Sequence, residues 1–151
     1  MMSTLFRKAL SRKRRGYSLL EILIVLTIIA LIATLVGPRL ISALDRSKST
    51  TAAVQSRAIA AALNTMYLDL GRYPSAEEGL TILVNAPSEG GETWRGPYLE
   101  SGLPDDPWGR PYEYFPPATI DASPRVGSLG ADGRTGGSGS AADVFSDSPR
   151  S

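Results

Sequence analysis

The sequence predicts an α+β chain, with one long N-terminal helix leading into a small, turn-rich antiparallel sheet. Three observations carry that expectation. From Leu19 to Val36 there are thirteen Leu, Ile or Val residues, no proline, and one charge, Glu21. From Arg39 to Leu70 apolar residues recur at three- and four-residue steps, and Gly71 stands where such a helix would be capped. Beyond Gly71 the chain is rich in Gly and Pro, and only short segments remain to pair as strands.

The aliphatic run comes first. It continues for bilayer-spanning length, about 20 residues. At ~0.3–0.6 kcal/mol each, its aliphatic residues contribute roughly 4–8 kcal/mol towards insertion. A carboxylate at the bilayer centre would cost about 3 kcal/mol, and less near the interface, so insertion wins. Glu21 works against that gain, which makes it a candidate for a functional role. Arg7, Lys8, Arg12, Lys13, Arg14 and Arg15 all precede Gly16, with no acid among them. Such a cluster keeps the N-terminus cytoplasmic and sends the C-terminus outward. A secretory signal would have a shorter apolar region and a small-x-small cleavage site. A plain signal anchor would explain the basic cluster and the apolar run, but neither Gly16 nor Glu21.

The second half of the helix has one apolar stripe: Leu40, Ile41, Leu44, Thr51, Val54, Ala58, Ile59, Ala62, Leu63, Met66, Tyr67 and Leu70. Gly37-Pro38 separates the two halves. Proline inside a helix removes a donor and clashes with the preceding turn, so a kink or melted stretch is expected, unless Pro38 opens a second helix. At ~1.5 Å per residue the rod from Tyr17 to Leu70 would span roughly 80 Å, far more than a small domain needs.

After Gly71, Ser75 is placed to cap a short helix over Ala76–Leu83, with Glu77 and Glu78 in its first turn. A Gly/Pro-rich loop over residues 87–97 contains Trp94. Pro104-Asp105-Asp106-Pro107-Trp108-Gly109 reads as a turn. Residues 111–115 and 125–129 read as short strands. Trp94, Trp108, Tyr112 and Tyr114 are the bulky groups expected to fill the domain's core.

Composition narrows the function. The net charge of +1 hides an asymmetry: without the six basic residues before Gly16, ten basic side chains face fifteen acidic ones, a balance of −5. A basic nucleic-acid binder is therefore disfavoured. There is no Cys and no His. A small exported domain without disulfides needs a bound metal or packing into an oligomer. No nucleophile–base pair with Cys or His can be built, and Gly137-Ser138-Gly139 lacks the lysine of a phosphate loop. A structural protein is expected rather than an enzyme. Leu129–Val144 is a glycine-dense loop holding two carboxylates, Asp132 and Asp143. Such a loop suits a hard cation taking six to eight oxygens, although on the residues alone a flexible loop with two solvated acids is the favoured reading.

Gly16-Tyr17-Ser18-Leu19-Leu20-Glu21 followed by an aliphatic helix resembles the class III signal of type IV pilins and pseudopilins. The resemblance implies that a prepilin peptidase cuts after Gly16 and N-methylates Tyr17, a position where the family usually has Phe. It also implies that Glu21 attracts the N-terminus of a neighbouring subunit during assembly. The resemblance continues through Gly71-Arg72-Tyr73-Pro74, Glu78-Gly79-Leu80, Trp94-Arg95-Gly96-Pro97-Tyr98-Leu99, Asp106-Pro107-Trp108-Gly109-Arg110-Pro111-Tyr112 and Gly130-Ala131-Asp132-Gly133. These motifs, in this order, resemble the major pseudopilins of bacterial type II secretion.

That likeness implies a pilin-like fold. It divides the chain into a leader (1–16), a transmembrane and assembly helix (17–38), its amphipathic continuation (39–71), and a periplasmic domain (72–151) with a calcium loop at 129–144. It assigns Ca2+ to Asp132, Asp143 and the carbonyl of Leu129, with one acid fewer than many relatives because Ala141 stands in its place. The implied function is the major subunit of a homopolymeric pseudopilus at the inner membrane, driving folded exoproteins across the outer membrane. Minor pseudopilins, an inner-membrane assembly platform and a separate secretion ATPase are the implied partners. The alternatives are a type IV pilus major pilin and a membrane-tethered calcium-dependent binding module that does not polymerise.

Overall fold

The computed structural model describes residues 16–88, 91–119 and 122–148. The basic leader residues 7–15, and the end of the tail after Ser148, lie outside them. One helix dominates. α1 runs over Leu19–Leu70, 52 residues, with Pro38 inside it. No melted stretch interrupts the helix at Gly37-Pro38, and Pro38 does not open a second helix: both residues remain helical. A proline costs about 3 kcal/mol in a helix interior, which the many intact turns on either side offset. Gly71 closes the helix as expected, its N–H donating to the Tyr67 carbonyl at 2.8 Å.

The chain forms two compact units, divided after Leu40. In the first, residues 22–36 are apolar apart from Thr27 and Thr34, and they are exposed: Leu26, Ile29 and Leu31 keep more than half of their surface. The helix is long and apolar enough to cross a membrane.

The second unit has a core. Ala52, Ser56, Ile59, Leu63 and Met66 are buried at alternating four- and three-residue steps along α1. Ile59, Leu63 and Met66 form one core with Leu80, Ile82, Leu83, Tyr112 and Val126. The expected stripe is thus correct from Ile59 to Met66, but Leu40, Ile41, Leu44 and Val54 are exposed. Ser56 is tolerated in the core because its hydroxyl donates to the Ala52 carbonyl at 2.7 Å.

The sheet has three antiparallel strands in the order β1-β2-β3: β1 is Glu113–Phe115, β2 Arg125–Ser128 and β3 Val144–Phe145. The first two match the expected strands, each shorter. β3 was not expected, because two residues are too few to show a period. The helix expected over Ala76–Leu83 is a turn followed by a 3-10 helix over Gly79–Leu83. Gly79 sits at φ +56°, which an α-helix cannot continue through. Ser75 still caps the segment. Its hydroxyl accepts the Glu78 N–H at 3.2 Å while the Glu78 carboxylate accepts the Ser75 N–H at 2.8 Å, a reciprocal capping box.

The aromatics divide. Tyr112 is buried, and Trp94 and Tyr114 pack against the core, but Trp108 is only half-buried and outside it. Each packed ring finds a partner for its polar edge. Trp94 donates to the Ile82 carbonyl at 2.9 Å, Tyr112 to Gln55 at 2.6 Å and Tyr114 to the Pro74 carbonyl at 2.9 Å. Burial pushes both phenols up to about 12, so they stay protonated donors.

Candidate functional site

Two groups of residues carry chemistry, one at the start of α1 and one beyond β2. Gly16 and Tyr17 are exposed and non-helical, and α1 begins at Leu19. The peptide bond between them therefore lies in non-helical chain just before the helix. Glu21 occupies the first turn, where a negative charge complements the unpaired N–H groups of the helix end. Among the described residues it forms no ion pair.

The second group is built by the β2–β3 connection. Ser128 pairs with Val144, so the residues on either side of that rung, Leu129 and Asp143, stand together at the loop's root. The loop closes again further out, where the Ala131 N–H donates to the Ser140 carbonyl at 2.8 Å. Gly130 allows this closure. At φ +66° its missing Cβ would come within 2.8–2.9 Å of the Ala141 and Ala142 carbonyl groups.

Both predicted acids belong to this closed loop, in different environments. Asp132 Oδ1 accepts the Arg134 N–H at 3.0 Å and holds its own turn. Asp143 Oδ2 accepts the Gly136 N–H at 3.0 Å and ties the glycine-rich limb back to the root. Asp143 Oδ1 is buried with no hydrogen-bond partner. A buried carboxylate oxygen without a donor is costly, and a cation is one way to satisfy it. Among the described residues no three acidic side chains gather at one point, so any further ligands would be main-chain or hydroxyl oxygens or water. A groove of about 780 Å³, lined by Ser49, Arg57, Ser140 and Asp143, opens beside the acid. The residues fit a hard cation on these terms.

Sequence reasoning missed the residues that support the loop. Asp106 is buried in the turn after residue 104, and its Oδ1 accepts the N–H groups of Trp108 and Arg110 at 3.0 and 2.9 Å. Its Oδ2 accepts the buried Ser128 hydroxyl. Ser128 Oγ in turn accepts the Gly130 N–H at 3.2 Å. The Asp-Pro-Trp-Gly spacing signalled the turn, but nothing in it pointed to a partner on another strand.

Comparison with known proteins identifies the family of the chain. Residues 39–147 match the family model described as type II secretion system protein G, and residues 11–37 match the prokaryotic N-terminal methylation motif. The chain is 41% identical over 135 residues to the type II secretion system core protein G of Pseudomonas aeruginosa, covering 88% of this chain and 94% of that one. It is 37% identical over 138 residues to the protein of the same description from Vibrio cholerae, covering 88% and 91%. A crystal structure of the major pseudopilin from the type 2 secretion system of enterohaemorrhagic Escherichia coli superposes with a TM-score of 0.57 at 27% identity, covering 72% of this chain and 93% of that one. An exposed aliphatic helix behind a methylation motif, joined to a matching C-terminal domain, leaves one assignment: the chain belongs to the type II secretion system protein G family, the major pseudopilins.

Proposed function

We propose that this pseudopilin is cut after Gly16, methylated on Tyr17, and polymerised through its aliphatic helix into a homopolymeric fibre that helps move folded proteins outward. The helix sits in the inner membrane before assembly, with the leader cytoplasmic and the residue 72–151 domain periplasmic. Minor pseudopilins, the assembly platform and the secretion ATPase act with it. The observation that carries this reading is the exposed aliphatic surface of Leu19–Val36 with a carboxylate in its first turn. Nothing within the described chain covers that surface, so a bilayer or neighbouring helices must. Once the leader is removed, the amine of Tyr17 supplies a cation for Glu21, and methylation preserves that charge. In a fibre a carboxylate removed from water needs such a partner.

The N-terminal mass of the mature protein tests the processing step: chains should begin at methylated Tyr17. Assembled fibres that retain the leader would sink it. Glu21→Leu tests the assembly step. That variant should insert into the membrane normally yet fail to form fibres or support secretion. Normal secretion at native expression would reduce Glu21 to an interfacial passenger.

A second reading concerns the loop and rests on the orphaned Asp143 Oδ1. Asp132, Asp143 and the Leu129 carbonyl would hold Ca2+, with further oxygens from the main chain, hydroxyl groups or water. The ion would satisfy the buried carboxylate and fix a segment with little apolar surface of its own. Titration of the full chain in detergent should show calcium binding that Asp143→Ala abolishes. Equal binding by that variant would exclude the assignment.

A further inference from the structure

We propose that Arg110 presets the metal loop: its guanidinium fixes the first limb in its binding shape before any cation arrives and decides which oxygens remain for the ion. This rests on the calcium reading above and concerns a residue outside the expected ligand set. Three contacts meet on one side chain. Arg110 Nη1 donates to the Gly130 carbonyl at 2.6 Å, and Nη2 donates to the Ala131 carbonyl at 2.8 Å. The guanidinium also lies over Gly133, where a Cβ would stand 2.8 Å from Cζ and 2.9 Å from Nε. The planar fork is thus enclosed by residues 130, 131 and 133, which straddle Asp132.

The base of the fork is fixed as well. The Arg110 N–H is held by the buried Asp106 carboxylate, and the same carboxylate binds Ser128, which accepts the Gly130 N–H. Gly130 is therefore held from both sides, through its N–H by Ser128 and through its carbonyl by Arg110. An arginine fork suits this task because two parallel donors fix two successive carbonyls; the point charge of a lysine cannot.

Ligand choice follows from charge. A carbonyl oxygen already bound to a guanidinium is a poor ligand for a second cation, because the two positive groups would repel across one atom. With Gly130 and Ala131 committed to Arg110, the oxygens left on this limb include the Leu129 carbonyl and the Asp132 carboxylate. Arg110 thus acts as a positioning residue.

The test uses the full chain in detergent, comparing wild type with Arg110→Lys and Arg110→Met. Amide exchange in chelator reads the loop without metal, and calcium titration reads affinity. The exchange of the Ala131 and Gly136 amides, which close the loop, should quicken tenfold or more in both variants. The Ser146 amide, bonded to Val126 in the sheet, should be unchanged and so report an intact fold. Calcium affinity should fall at least tenfold in Arg110→Lys and further in Arg110→Met. Loop exchange and calcium affinity both equal to wild type in Arg110→Lys would overturn the proposal while leaving the calcium site standing. A wild-type chain that binds no calcium would overturn the site, and the presetting role with it.

Discussion

Leu26 and Leu63 are the same side chain on the same helix, yet one is 58% exposed and the other fully buried. The difference lies in what surrounds each. Around Leu63 the polar residues keep to one side of α1, and the buried positions follow a four-three spacing that a single neighbouring surface can cover. Around Leu26 apolar residues occupy every side of the helix, and no single face could satisfy it. A helix of the first kind is completed by its own domain; one of the second kind requires an apolar environment supplied from outside the chain. The two halves of α1 therefore make opposite demands.

The largest effect that sharpens this contrast is truncation of the core. Leu63→Ala should destabilise the domain by about 2–5 kcal/mol, lowering its melting temperature by roughly 10–20 °C or more. Leu26→Ala should leave the same transition nearly unmoved, within about 0.5 kcal/mol. Calorimetry of both variants in one detergent would decide it. Equal losses would mean that the N-terminal half also contributes to the domain's core.

Calcium removal should come next. An ion at a hundredfold excess over its dissociation constant adds about 2.7 kcal/mol to the folded state. Chelator should lower the domain's melting temperature accordingly, calcium should restore it better than magnesium, and Asp132→Ala should remove the response. A melting curve indifferent to chelator would show that the loop holds its shape without the ion.

The Ser75–Glu78 box should matter less. Ser75→Ala removes one side of the reciprocal pair and should cost about 1 kcal/mol, read by denaturant unfolding. The smallest expected effect is titration of Glu78. Hydrogen bonds from the Arg72 guanidinium, at 2.7 Å to each oxygen, and from the Ser75 N–H hold this carboxyl at about 2, below its ordinary 4.5. Between those values the unfolded chain binds the extra proton. The contribution is therefore complete above about pH 4.5 and disappears as pH falls through 2. Both side chains keep contact with water, so it should stay below about 1 kcal/mol and shrink with salt. Comparing Glu78→Gln with wild type at pH 7 and pH 2 measures it. A difference that persists unchanged at pH 2 would assign the effect to the capping geometry rather than to charge.

The parts of this protein that the sequence determined are those governed by local periodicity and local chemistry. Thirteen aliphatic residues around one carboxylate define the exposed helix whatever lies beyond it. The three- and four-residue spacing from Ile59 to Met66, the stop at Gly71 and the capping serine at Ser75 are short-range statements, and all of them hold. Tertiary structure decided the rest, because each remaining feature is a pairing between distant residues. Ser128 becomes the partner of Asp106, 22 positions away, only when β2 is in place. Val144 and Phe145 form a strand only because β2 offers an edge. Leu44 and Leu63 satisfy the same helical stripe, and only the extent of the packed domain leaves one exposed and the other covered. The two acids were legible as loop residues, but the burial of Asp143 Oδ1 and the grip of Arg110 on Gly130 and Ala131 required the loop to close. A hydrogen bond between residues twenty positions apart leaves no period in the sequence, since either partner alone is compatible with many folds.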